Sequence, residues 1–379
     1  MRIAINALTV REGGGLVALE KLLSQFVRLK PEYQYYVIAS QALPDLPCLE
    51  HEAVRRCEFV WAERSYSTIS LWYLTVLPAW LRKNRIDVLF SQTCFLPPVG
   101  PKRAALLVQD ARYFSQHPPC NGNSSMIERM KFSIQRFWVH RSVAAADEVT
   151  VQTQALANLI GECVPSASAR ITVIPHGPGY LDEPCPRPAR HLKPSDAFEI
   201  VYVALYRDHK NFNTLFQAVK LLRSRGIPVR LHLTLDRQRP EVVALEKQIK
   251  DMGVEDWVVN HGQLDRSAVT ELYENSHLFV FPSICESFGF PQVEAMAFGL
   301  PVIAADTPVN REVCGSAAAF FPANDAGALA QLIAHYHSHP EQLSLASRRS
   351  VQRAADFDWT KAGGETLGWM TNGGILNGG

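Results

Sequence analysis

The sequence carries almost no surplus charge. Its 38 basic residues meet 37 acidic ones, for a formal charge of +1. No overall field exists to gather nucleic acid, so attraction to anions has to be local. Long hydrophobic runs are also missing. The most membrane-like stretch, LWYLTVLPAWL over 71–81, is interrupted by Pro78 and is well short of the ~20 residues that span a bilayer. The start, MRIAINALTV, lacks the basic and apolar regions of a signal peptide and reads as a β-strand. The eight cysteines form no CxxC pair and do not cluster with histidines at metal-ligand spacing. Scattered reduced thiols in a cytoplasmic setting are the expectation. No metal is called for.

What is present is alternation. The 379 residues suggest two domains at about 100–200 residues each. Short apolar runs such as RIAINAL (2–8), YQYYVIA (33–39), AALLVQD (104–110) and RITVIP (170–175) alternate with amphipathic stretches, among them 16–29, 66–83 and 126–146. Residues 176–197 break this rhythm with five prolines and two glycines. The alternation then resumes through FEIVYVA (198–204), VRLHLTL (229–235), LFVFPS (278–283) and VIAA (302–305). Strands alternating with helices indicate parallel sheets covered on both faces. The expected class is α/β, with two doubly wound Rossmann-like domains facing across a cleft. The expected boundaries are a first domain over 1–178, a linker over 179–197, a second domain over 198–358, and a C-terminal helix and tail over 359–379 that packs back on the first. Gly363 and Gly364 weaken that helix by roughly 1 kcal/mol each.

Ligands of such sheets sit beyond the carboxyl ends of the strands, and three junctions there carry candidate residues. In NALTVREGGGLVALEKLL, Gly13, Gly14 and Gly15 lie between a strand and a helix. They suit a phosphate held by backbone N–H groups, or simply a flexible turn. In ALYRDHKNFNTLFQ, Arg207 and Lys210 follow the first strand of the second domain. They suit a diphosphate, or a solvated loop.

The third junction is CESFGFPQVEAMAFGLP, over 285–301. Pro291 belongs in a first helical turn, where its missing N–H costs nothing. Glu286 then lies just past the strand, and Glu294 in the first turn. The N–H groups of 287–290 can face an anion while the two carboxylates accept hydrogen bonds from hydroxyls on either side. A ligand anionic in the middle and hydroxylated at both ends, as a nucleotide sugar is, answers that arrangement. Taken singly, Glu294 is a helix-dipole partner and Glu286 a solvated acid.

Together, ESFGFPQVEAMAFGLPVIA and its Glu286–Glu294 spacing resemble the signature of retaining GT-B glycosyltransferases of family 4, the glycosyl transferases group 1. The resemblance extends over nearly the whole chain, through VIPHG, the HKN loop and the FDW segment. It implies transfer of a sugar from a nucleotide-sugar donor to an acceptor hydroxyl, without metal or cofactor. It sets Glu286 at the donor sugar with backbone donors at Gly289 and Phe290, Glu294 at the ribose, and Lys210 at the diphosphate. The loop 261–264, ending at Leu264, lies near the base. It also suggests a role in building surface polysaccharide or a lipid-linked glycan, with GDP-mannose preferred.

Two positions depart from the family pattern. Gln109-Asp110 stands where members often have His-Asp, so Gln109 can hydrogen-bond a sugar but not act as acid or base. Leu205 occupies the position of the usual Arg, with Arg207 nearby. A nucleotide-sugar-binding partner subunit with weak or no catalysis therefore stays open, and so does an epimerase of the same fold. His176 in VIPHG, Trp72 and Trp80 are acceptor-side candidates, each with a plain packing alternative. The aromatic, basic stretch 66–85 and the helix over 126–140 are where a lipid-borne acceptor or peripheral membrane contact would fall.

Overall fold

A computed structural model of the chain describes residues 1–115, 125–181 and 197–372. Most of the expected linker and the last seven residues lie outside this range. The chain divides into two compact units, Met1–Gly177 with Asp358–Gly379, and Pro178–Phe357.

The first unit is built on a seven-stranded parallel sheet. In chain order its elements are β1 (Arg2–Ala7), α1 (Gly13–Leu29), β2 (Gln34–Ala39), β3 (Val54–Glu58), α2 (Tyr66–Leu71), α3 (Leu77–Lys83), β4 (Val88–Ser91), β5 (Arg103–Leu107), α4 (Met126–Ala145), β6 (Glu148–Val151), α5 (Gln154–Cys163) and β7 (Ile171–Val173). The strand order is β3-β2-β1-β4-β5-β6-β7. Strand β1 is entirely buried past Arg2, as a strand covered on both faces has to be. The direction of winding reverses between β1 and β4, and such a reversal opens a crevice at the carboxyl edge.

The second unit repeats the plan with six strands. These are β8 (Phe198–Tyr202), β9 (Val229–Leu233), β10 (Val258–Asn260), β11 (Leu278–Phe281), β12 (Val302–Ala305) and β13 (Ala318–Phe321). Helices α6 (Phe212–Ser224), α7 (Pro240–Asp251), α8 (Arg266–Glu274), α9 (Phe290–Ala297), α10 (Pro308–Cys314), α11 (Ala326–Ser338) and α12 (Pro340–Ala354) cover them. The order β10-β9-β8-β11-β12-β13 places the reversal between β8 and β11. Strand β13 and helices α10 and α12 escaped the sequence pattern, as did β3. Each is short, half-exposed or polar on one face, so its apolar period is faint.

The last helix, α13 (Trp359–Asn372), belongs to the first unit and packs on α1. Its glycines are there for proximity. A Cβ on Gly363 would sit 2.3 Å from Gln25 Cβ, so only glycine lets the two helices approach this closely. Likewise, a Cβ on Gly177 would meet the Trp359 ring at 2.4 Å.

The expected helix over 66–83 is interrupted. A π-helical turn, Trp72–Val76, joins α2 to α3. Pro78, near the start of α3, cannot donate to the preceding turn, and the wider π turn absorbs that missing bond.

Candidate active site

In the second unit the two loops at the reversal point are tied to each other. The first runs from β8 through a short 3-10 turn at Asp208–Lys210 to Asn211, which is left-handed at φ 57°. The amide N–H of Ile284 donates to the His209 carbonyl at 2.9 Å, and Asn211 Nδ2 donates to the Pro282 carbonyl at 3.2 Å. The second loop ends at Gly289, whose φ of 82° caps α9. A Cβ there would meet Gln292 Nε2 at 2.6 Å and the Phe281 ring at 3.1 Å, so glycine is required on both counts. Pro291 falls in the first turn of α9, as the sequence indicated.

This scaffold brings Lys210 and Glu286 into contact. Lys210 Nζ donates to Glu286 Oε1 at 2.6 Å, with side chains 14% and 11% exposed. Burial alone would raise the Glu286 carboxyl. The Lys210 ammonium, the neighbouring His209 and the hydrogen bonds from Lys210 and Ser283 overcome that and hold it below the usual range. Arg207 is on the same turn, with Nη1 donating to the Tyr206 carbonyl. Gly289 and Phe290 open α9, and Leu264, half-buried, lies in the loop between β10 and α8.

Glu294 has the opposite electrostatics. It is buried, and burial pushes its carboxyl up to about 7 against the hydrogen bonds that lower it. Those bonds come from the Tyr273 hydroxyl, at 3.0 Å from Oε2, and from the Tyr180 backbone N–H. Gly179, at φ 53°, lies against the same carboxyl, and a Cβ on it would fall 1.7 Å from Glu294 Oε1. The Arg266 guanidinium covers the Tyr180 ring at 4.0 Å. No sequence signal points to these partners. Tyr273 lies 21 residues from Glu294 and carries no motif, and Gly179-Tyr180 read only as linker.

In the first unit, Gly13, Gly14 and Gly15 form the opening turn of α1 rather than a loop before it. The Glu12 side chain makes no capping bond, and Gly13 is left-handed at φ 66°. Gln109 follows β5. Its Nε2 is buried with no hydrogen-bond partner among the described residues, while the neighbouring Asp110 caps the next turn and pairs with Arg112. A buried network at the reversal point was not foreseen: Asn6 Nδ2 donates to Tyr73, Ser91 and Thr93 at 2.9–3.1 Å.

Two acceptor-side candidates, Trp72 and His176, are corrected, and the third, Trp80, packs on its buried side into the same cluster as Trp72. Trp72 is fully buried against Phe59 and Tyr73, and Trp80 is half-buried against Tyr36 and Phe59. Both serve the core between the helices and sheet. His176 is 1% exposed and stacked on Trp359 at 5.2 Å; burial pushes its pKa down to about 3. It is a neutral core histidine and lines no surface.

Among the described residues no group of three or more His, Cys, Asp or Glu could hold a metal ion, and no helix is long and apolar enough to cross a membrane.

Two parallel sheets, each with its reversal point, define a GT-B fold. Solved structures agree over nearly the full length. Sucrose-phosphate synthase from Thermosynechococcus elongatus aligns at TM-score 0.79 and 18% identity, covering 97% of both chains. HepE from Anabaena in complex with UDP-glucose aligns at 0.72 and 18%, covering 97% of this chain and 99% of that one. Residues 187–353, less than half of the chain, match the family Glycosyl transferases group 1, and the fold of the chain is GT-B. A curated relative, O-antigen chain mannosyltransferase B of Escherichia coli, is 28% identical over 168 residues, a match that spans 44% of each chain.

Proposed function

We propose that the protein is a retaining, metal-independent glycosyltransferase that moves a sugar from a nucleotide-sugar donor to an acceptor hydroxyl. The observation that carries this reading is the Lys210–Glu286 pair, set between two interlocked loops at the strand-order reversal and beside the N-terminus of α9. A donor diphosphate competes for the Lys210 ammonium and is stabilised further by the helix end. Glu286, released from Lys210, accepts from sugar hydroxyls, and the N–H groups of Gly289 and Phe290 hold the same sugar. Glu294 accepts from the ribose. As the glycosidic bond to phosphate breaks, charge collects on the leaving diphosphate, where Lys210, Arg207 and the N–H groups of α9 stabilise it. The leaving phosphate oxygen takes the proton of the acceptor hydroxyl on the same face, so no side-chain base is needed.

GDP-mannose is the donor to test first, because the E. coli relative is named a mannosyltransferase. The acceptor is a glycan or a lipid-linked glycan of surface polysaccharide synthesis. The reaction is set at the cytoplasmic face of the cell membrane, with peripheral contact supported by exposed Met130, Ile134 and Phe137 on α4.

The test is thermal unfolding against UDP, GDP, dTDP and ADP, followed by transfer assays with sugars of the stabilising base. A ligand at 100 times its Kd adds about 2.7 kcal/mol, worth roughly 5–11 °C for a domain of this size. Lack of any shift would count against the donor site. One observation favours a second reading, a donor-binding subunit without catalysis: the position that often holds histidine is Gln109, whose amide nitrogen is buried with no partner among the described residues. Nucleotide binding without transfer or donor hydrolysis would select it.

A further inference from the structure

The first unit contains a groove of about 630 Å3 that the donor chemistry leaves unused. It opens at the carboxyl edge of the sheet. Thr9 and Arg11 after β1, Phe95 and Leu96 after β4, the segment from Glu63 to Leu74, and one side of α4 line it.

The groove is polarised along its length. At one end Arg11 pairs with Glu63 at 2.8 Å, and Ser40 donates to the same carboxylate at 2.7 Å, so the single acid is already engaged. Arg64 is exposed and forms no ion pair among the described residues. Lys131 Nζ lies over the Tyr66 ring at 5.3 Å; it feels the exposed Glu128 carboxylate one turn earlier on α4 but forms no ion pair among the described residues. Two helical turns further along α4, ~10 Å away, stands Trp138. That end is apolar, lined by Leu74, Phe95, Leu96, Ile134 and Trp138, of which Leu74, Ile134 and Trp138 are 46%, 53% and 37% exposed.

The apolar wall continues out of the groove. Helix α4 buries Val139 and Val143 on its inner face. At about 100° per residue, Met126, Met130, Ile134 and Phe137, with Ile127 and Trp138, fall within roughly 120° on the opposite face. All six are exposed. A helix that is apolar on its outer face as well as its inner one presents a surface that calls for cover.

We propose that this groove binds the acceptor as an amphiphile: a phosphate or diphosphate head at Arg64 and Lys131, with an alkyl or isoprenyl chain running past Leu74 and Trp138 onto the outer face of α4. Charge complementarity selects an anionic head, and the continuity of the apolar wall selects a long chain over a second protein. The acceptor role rests on the transferase reading; the binding does not.

The probes are octyl phosphate below its micelle concentration, uncharged octyl glucoside and inorganic phosphate, each titrated into the full-length protein by calorimetry. Octyl phosphate is expected to saturate, with both other probes at least about tenfold weaker, a gap of ~1.4 kcal/mol. The double variant Arg64→Glu/Lys131→Glu should lose about tenfold or more for octyl phosphate and leave octyl glucoside unchanged. Ile134→Glu should weaken both amphiphiles. These side chains are exposed, so unchanged melting temperatures serve as the folding control. Equal binding of the neutral amphiphile, equal binding of inorganic phosphate, or no effect of the double variant overturns the proposal. So does a concentration-dependent dimer that buries α4 and excludes octyl phosphate. Nucleotide shifts without octyl phosphate binding would sink the groove alone; the reverse would sink the transferase reading and leave the groove standing.

Discussion

Lys210 Nζ lies 2.6 Å from Glu286 Oε1, and the two come from loops 76 residues apart that meet only because β8 and β11 are neighbours. Removing one member leaves the other charge nearly buried. Lys210→Ala is therefore expected to destabilise the second unit by about 1–3 kcal/mol, less than for a fully enclosed pair because both side chains keep some solvent. Glu286→Gln, which keeps an amide oxygen to accept from Lys210 but no charge to balance it, should lose less stability than Lys210→Ala yet lower donor turnover by about a hundredfold or more, a loss of ~2.7 kcal/mol of transition-state stabilisation. Melting curves and initial rates on the same preparations check both, and wild-type turnover in Glu286→Gln would remove Glu286 from the chemistry.

Gly179 is expected to act on nucleotide affinity through space. Gly179→Ala drives a methyl into the Glu294 carboxyl and strains a left-handed backbone. The affinity for free nucleoside diphosphate should fall at least about tenfold. Tyr273→Phe, which only frees one carboxylate oxygen, should cost much less. Equilibrium titration with the stabilising nucleotide distinguishes the two; unchanged affinity in Gly179→Ala would detach Glu294 from the ligand.

Glu294 also predicts a pH dependence. Its carboxyl is raised from 4.5 to about 7 in the folded protein. The folded state therefore binds the proton more tightly than the unfolded chain between these values. Stability from this group is complete below pH 4.5 and is lost as pH rises towards 7, by up to ~3 kcal/mol. Glu294→Gln should flatten that part of the profile. Nucleotide affinity should move the other way, rising through pH 7 as the carboxylate forms and accepts from hydroxyls. A wild-type stability profile parallel to that of Glu294→Gln across this window would contradict the buried carboxyl.

The crossing of α13 on α1 offers a purely structural test. Gly363→Val has no room beside Gln25. It should destabilise the first unit by about 1–3 kcal/mol, the usual cost of overpacking. Gly368→Ala, where a Cβ meets nothing within 4 Å, should instead gain up to ~1 kcal/mol from helix propensity. Differential scanning calorimetry of the two variants reads both signs.

Much of the fold was legible because parallel strands buried on both faces leave continuous apolar runs, and β1, β8, β11 and β12 stand out for that reason. The glycine and proline of the loop before α9 were equally plain, since a φ of 82° at Gly289 and a first-turn Pro291 each admit few residues. Spacing set Glu286 just past β11, and it expected Glu294 in the first turn of α9; the helix opens at Phe290 with no acid in that turn, so Glu294 falls one turn further in, where it is buried. What the sequence could not supply was which distant side chains meet them. Lys210 reaches Glu286 through the strand order, and Tyr273, Gly179 and Tyr180 enclose Glu294 through packing. Trp72 and His176 mark the same limit from the other side. An aromatic or histidine near a strand end reads alike whether it faces solvent or core, and only the completed unit buries it. The sequence by itself determined two wound sheets and the Gly289–Pro291 helix start between Glu286 and Glu294, because periodicity and backbone constraint are local. The tertiary structure decided the charge pairing of Glu286, the raised carboxyl of Glu294 and the polarity of the groove, because those depend on burial and on neighbours far away in the chain.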